Sequence, residues 1–218
     1  MVDWILDKLR ETSAEEIHLV TNARFATAFE HWAEGTGVRV HDDGTTTNDD
    51  RLGAIGDIRF VGLDDDLLAI AGDNLFDFSL GEFEAFWRRR PGSSCVAVHD
   101  VGDRELAKKY GIVEIDERER IRAFVEKPEQ PPSTLAATAT YLFAREHVRL
   151  IDPYLAEGNP HDQPGNFIAW LQRREPVSAY RFAGSWWDIG GREQLLAADN
   201  VMRRREGLPE RAEYSLQI

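Results

Sequence analysis

The chain has 218 residues, 42% hydrophobic and 30% charged, with a formal net charge of −13. That length and apolar content suit one globular domain over 1–218 with a sizeable core, and they exclude a disordered chain. The acidic excess argues against a nucleic-acid partner held by general electrostatics, because Arg88 to Arg90 and Arg203 to Arg205 are too short to reverse it and read as solvated helix faces.

At the amino end, Trp4, Ile5, Leu6 and Leu9 fall at helical spacing within MVDWILDKLRET. This stretch is charged and amphipathic, unlike a secretory signal, and no apolar run approaches the ~20 residues that span a bilayer. The expectation is a cytoplasmic protein without a membrane partner. The short apolar run IHLV follows as a strand, ended by Thr21 and Asn22. Ala23 to Glu34 return to helical spacing with Phe25, Ala26, Phe29 and Trp32 on one stripe, and Val38 to Val40 read as the next strand. Strands alternating with helices imply a doubly wound, mostly parallel α/β sheet with helices on both faces.

His41 to Arg51, HDDGTTTNDDR, is polar and turn-rich and reads as a surface loop, either functional or simply solvated. In the following GAIGDI, Gly53 and Gly56 permit close backbone approach to a flat ligand such as a base. Leu67 to Ala71 is an unbroken apolar run, too short for a typical helix, and reads as a strand buried on both faces. Gly72, Asp73 and Asn74 stop it. Ligands of open α/β sheets bind outside the carboxyl ends of strands, so Asp73 is a candidate metal-binding carboxylate, with Gly72 letting a ligand approach the backbone. The same triplet also suits an ordinary turn.

Leu80 to Arg90 read as a helix with Phe83, Phe86 and Trp87 inward, ended by Pro91-Gly92. The strand CVAVHD contains the single cysteine, Cys95, which reads as a buried thiol in a reducing compartment. A helical turn at Glu105 to Tyr110 precedes two strands, GIVEID and RIRAFVEKP, joined by the charged turn ERER. Prolines 128, 131 and 132 make the next segment extended, and TATYLFA is another strand. Helices at His147 to Leu155 and Asn166 to Arg174, a strand at VSAYRFA, the turn GSWWDIGG and a helix from Arg192 to Arg205 complete the chain. No internal repeat is present. No GxGxxG follows a strand, which argues against a dinucleotide binder.

Three separated places offer related chemistry: Asp73 at a strand end, Glu126-Lys127 at another, and Asp188 in a glycine-flanked turn. Two carboxylates can hold one Mg²⁺, whose octahedral shell is usually shared with substrate phosphates, and a lysine neutralises phosphate charge. Taken singly, Glu126-Lys127 also reads as a surface ion pair and Asp188 as a turn acid.

Together, AGDNLFDFSL, YGIVEID, IRAFVEKPEQPPSTL and WWDIGGREQLLAADN resemble the sugar-1-phosphate nucleotidyltransferases, especially the glucose-1-phosphate thymidylyltransferase-like branch, from Val2 to about Val201. The resemblance implies a Rossmann-like fold and an enzyme in which a sugar 1-phosphate attacks the α-phosphorus of a nucleoside triphosphate. It implies that Asp73 and Asp188 hold Mg²⁺, that Lys127 contacts the sugar phosphate and that Glu126 accepts sugar hydroxyls. It also places Tyr110 and Gly111 at the sugar pocket and Gly53 near the base, and it leaves a homo-oligomer open. The family's first strand, its glycine-rich loop with an arginine and its Pro-Lys-Pro segment have no counterpart in these residues. The expectation is therefore an N-terminally truncated fold with unpaired backbone near IHLV and LLAIA, and weak triphosphate binding with impaired turnover. Ala139 stands where the family often has glycine. The alternative is a non-catalytic nucleotide-sugar-binding or regulatory subunit.

Overall fold

A computed structural model describes residues 1–213. The chain begins with α1 (Val2–Leu9), β1 (Ile17–Thr21), α2 (Ala26–Ala33), β2 (Val38–Asp42) and α3 (Gly53–Val61). Then come β3 (Leu67–Ile70), β4 (Asn74–Phe76), α4 (Leu80–Arg88), β5 (Ser94–Asp100) and α5 (Arg104–Ala107). The middle comprises β6 (Gly111–Ile115), β7 (Ile121–Glu126), β8 (Leu135–Phe143), α6 (Arg145–Val148) and α7 (Ile151–Ala156). The last elements are α8 (Pro164–Leu171), β9 (Val177–Arg181), β10 (Trp186–Asp188) and α9 (Arg192–Arg205).

The centre of the molecule is β5, fully buried from Ser94 to Val98 because it pairs on both edges, with β8 antiparallel and β9 parallel. Alternation along the strand sends its side chains to opposite faces. Val96 and Val98 join Tyr141, Phe143, Phe167 and Leu171 under α7 and α8. Cys95 and Ala97 join Phe76, Phe78, Phe83 and Phe86 under α4. Burial pushes the Cys95 thiol up to about 12, so it is an inert core group.

The α/β architecture with helices on both faces matches expectation, but its pairing is mixed rather than mostly parallel. The larger sheet runs β7-β6-β8-β5-β9, with β3 also on β8. β6 pairs antiparallel with β7 and with β8, and β3 pairs antiparallel with β8. No helix intervenes between β6, β7 and β8, and strands joined without a crossover element return antiparallel. β1 and β2 form a separate parallel pair.

Several local readings change. α3 occupies the stretch around GAIGDI, and α2 begins only at Ala26, leaving Phe25 46% exposed outside the helical stripe. β3 is half-buried at all four positions, not enclosed on both faces, because only one of its edges pairs among the described residues. The arginine runs are not simply solvated: Arg88 pairs with Glu84, Arg90 with Glu119 and Arg205 with Asp77. No helix among the described residues is long and apolar enough to cross a membrane.

Candidate active site

Past β3 the chain turns back within four residues, the amide of Asn74 donating to the carbonyl of Ala71 at 3.2 Å. The triplet is thus a turn, and it leaves Asp73 exposed at the start of β4. β4 leaves the turn and pairs antiparallel with β10, matching Asn74 to Asp188, Leu75 to Trp187 and Phe76 to Trp186. The Ile189 amide donates to the Asp73 carbonyl at 3.0 Å. Two carboxylates 115 positions apart are thereby brought side by side, as 188 less 73 gives.

The pair is held by its neighbours. Asn74, buried, donates its side-chain amide to Asp73 Oδ1 at 2.8 Å and accepts Trp186 Nε1–H at 2.5 Å. Trp186 meets the Tyr110 ring edge-on at 4.9 Å between centroids. Partial desolvation pushes the Asp188 carboxyl above its ordinary range, and the Asp73 charge adds to this while Lys127 opposes it. Desolvation followed by the Asp188 charge likewise raises the Tyr110 phenol.

Lys127 follows β7, and its amide donates to the Tyr110 carbonyl at 3.0 Å. Its φ of 44° lies in the left-handed region, which a side chain with a Cβ rarely adopts and which the surrounding ladder must hold. Glu126 is the register partner of Gly111. A Cβ on Gly111 would come within 2.5 Å of Phe124 and 2.9 Å of Glu126 Oε2, and one on Gly165 within 2.6 Å and 2.7 Å of the same groups. Two glycines from different elements therefore leave room for one carboxylate. Burial raises the Glu126 carboxyl above its usual range, with Lys127 opposing.

Asp73, Asp188, Lys127, Tyr110, Gly111 and Glu126 thus form one contiguous group, with Gly72 at its edge. Gly53 stands apart. Its φ is 72°, and a Cβ there would lie 2.5 Å from Asp162 Cα, so close approach to its own chain already explains this glycine. The amides of Ala54 and Ile55 donate to the carbonyls of Asp162 and His161. Asn74, Trp186 and Gly165 were missed as site residues. Their signal lay inside the words GDN, WWD and PGN, but three-residue strands and a glycine contact become visible only after long-range pairing.

No cluster of three or more His, Cys, Asp or Glu side chains disposed for a metal occurs among the described residues. The two acids nevertheless suit a hard divalent cation: they are like-charged oxygen donors within electrostatic reach of each other, and such an ion commonly takes its remaining ligands from substrate phosphates and water.

The family model described as Nucleotidyl transferase matches residues 1–205. A glucose-1-phosphate adenylyltransferase of Clostridium acetobutylicum is 29% identical over 136 residues, covering 61% of this chain and 36% of the relative. The chain therefore spans about a third of that relative's length. Among solved structures, a Bacillus anthracis chain assigned as a glucose-1-phosphate thymidylyltransferase, complexed with a sucrose, superposes with a TM-score of 0.73. It is 21% identical, over 93% of this chain and 82% of that one. A UDP-glucose pyrophosphorylase complexed with UDP-glucose gives 0.76 at 19% identity, over 94% and 86%. At these identities the structural likenesses speak for the fold alone.

Proposed function

Because the chain belongs to the Nucleotidyl transferase family, we propose that its crevice couples a sugar 1-phosphate to a nucleoside triphosphate, giving a nucleoside diphosphate sugar and pyrophosphate. The observation that carries this reading is the juxtaposition of Asp73 and Asp188 with Lys127 nearby.

In the reaction, a phosphate oxygen of the sugar substrate forms a bond to the α-phosphorus as the bond to the β-phosphate side breaks, and pyrophosphate leaves. Both reactants are anions, so positioning and charge neutralisation supply most of the rate gain, and no protein nucleophile is needed. Lys127 neutralises the sugar phosphate. Glu126, held between Gly111 and Gly165, accepts hydrogen bonds from sugar hydroxyls, while Tyr110 and Trp186 wall the pocket and exclude water. Asn74 keeps Asp73 turned toward Asp188. Asp73 and Asp188 would hold Mg²⁺, which supplies positive charge against the phosphates when bound. Gly72 offers open backbone to the nucleotide, and Gly53 serves by docking α3 near the loop that precedes α8.

Turnover is expected to be slow, because Lys127 is the cation coupled to the acidic pair among the described residues and the triphosphate needs more. Pyrophosphate release from glucose 1-phosphate with each nucleoside triphosphate tests the reading. Release that falls about a hundredfold or more in Asp73→Asn supports it. Release unaffected by that change overturns it, and tight nucleoside-diphosphate-glucose binding without release establishes a binding subunit instead.

A further inference from the structure

Asn74 is a buried polar side chain beside the acidic pair, 3% exposed, and its orientation decides what Asp73 meets. A carboxamide carries an acceptor at one end and two donors at the other, and half a turn exchanges them with little change of shape. The shape of the pocket around it therefore does not choose between the two. A buried neighbour that can only donate does.

Trp186 is that neighbour. An indole N–H donates and never accepts, so the Asn74 atom lying 2.5 Å from Trp186 Nε1 is the carbonyl oxygen. The NH₂ group is thereby turned to Asp73 Oδ1, at 2.8 Å. In the reversed amide, the oxygen would face a carboxylate and the NH₂ would face the indole N–H, so both contacts would become repulsive. The indole thus sets the sign of a contact it does not itself make.

The tryptophan is held in turn. The ladder with β4 sets it opposite Phe76. Its ring, partly buried, packs against the cluster that contains Phe76 and Phe78 and against the one formed with Ile112 and Ala136. Tyr110 and His99 meet it at 4.9 and 6.2 Å between centroids. An N–H carried on so restrained a ring keeps its direction, which a water molecule in its place would not.

Asp73 needs such a hold. It is exposed, and the Asn74 amide is the one hydrogen-bond donor to its side chain among the described residues. Left alone, an exposed carboxylate exchanges between rotamers, and the charge of Asp188 favours those that turn away from it. A hydrogen bond to the charged oxygen opposes that turning.

We propose that Trp186 is a positioning residue for cation binding: its indole N–H fixes the Asn74 amide, which holds Asp73 turned to share an ion with Asp188. The inference rests on the reading of Asp73 and Asp188 as cation ligands, and it gives Trp186 a role separate from walling the sugar pocket.

The test uses the chain as it is, with Mn²⁺ alone as the probe and its binding read by water-proton relaxation. Trp186→Phe keeps an aromatic ring and removes the donor, while Asn74→Leu keeps the shape and removes the amide. Each is expected to weaken Mn²⁺ binding by about fivefold or more. The double variant should lose no more than either alone, because both act through one chain of bonds. Additive losses would show general damage to packing and overturn the proposal. Binding weakened by Asp73→Asn but untouched by Trp186→Phe overturns the proposal alone, whereas binding untouched by Asp73→Asn overturns the cation reading with it. A further measurement needs neither variant nor cation: in the parent protein the Trp186 indole proton should exchange with solvent at least about tenfold more slowly than a free indole. Exchange at the free rate would overturn the proposal even if Trp186→Phe failed to fold.

Discussion

Asp188 stands opposite Asn74 in the ladder between β10 and β4, which places its carboxylate beside that of Asp73. An antiparallel pair three residues long therefore does what no local sequence feature could, bringing two acids distant in the chain within electrostatic reach of each other. The repulsion this creates has measurable consequences.

Asp188→Asn is expected to raise Tm at pH 7 to 8 while suppressing pyrophosphate release. The folded state raises the Asp188 carboxyl above its unfolded value by desolvation and by Asp73. The folded state thus binds more protons through that window, so its stability falls as pH rises. Removing the charge restores stability above the window and changes little below the ordinary carboxylate range. Thermal melts across pH 3 to 8 read this directly, and a variant less stable than the parent at neutral pH would contradict it.

Gly165→Ala should destabilise the fold by roughly 1–3 kcal/mol, because its Cβ would lie 2.6 Å from Phe124 and 2.7 Å from Glu126 Oε2. Helix propensity alone predicts the opposite sign, a gain of up to about 1 kcal/mol. Gly190→Ala is the control, since a Cβ there meets nothing within 4 Å. Denaturant unfolding of the two variants, together with sugar-phosphate titration, separates packing loss from displacement of Glu126.

Ala139→Gly should stabilise the chain by roughly 1 kcal/mol. Ala139 has a φ of 50°, where a Cβ is strained, and it sits in the irregular part of β8 opposite Val96 to Val98. Its carbonyl accepts the Ala71 amide at 3.0 Å, so the strain supports the turn that carries Asp73. Chemical denaturation with unchanged m-value would verify the gain, and a loss of stability would refute the strain.

Asp57 makes a pH prediction away from the crevice. Burial first, then the charges of Asp43 and Asp162, push its carboxyl up to about 6, and its Oδ1 is buried without a hydrogen-bond partner among the described residues. Its contribution to stability should decline as pH rises from the ordinary carboxylate range through about 6. Asp57→Asn should flatten that decline in pH-dependent melts; an unchanged slope would place the titration elsewhere.

Much of the fold was legible in order and type. The apolar runs IHLV, LLAIA, CVAV and TATYLFA became strands because a short unbroken hydrophobic stretch has few other ways to bury itself, and the amphipathic stretches became helices for the reason their period of 3.6 suggests. β4 and β10 were not legible, since three residues carry no period and exist as strands only because each supplies the other's partner. Strand direction was misread for a related reason: the hydrophobic pattern is the same whichever way a neighbour runs.

The amino-acid sequence by itself supplied the candidate groups, two carboxylates, a glutamate-lysine pair and small glycines, together with the motifs that mark the family. Tertiary structure alone decided which of them meet. It drew Asp73, Asp188 and Lys127 within electrostatic reach of one another, turned Gly53 against the backbone of Asp162, and left one edge of β1 and one of β3 without a strand partner among the described residues. The reason is physical: side-chain type is a property of position, whereas proximity is created by backbone hydrogen bonds between segments far apart in the chain.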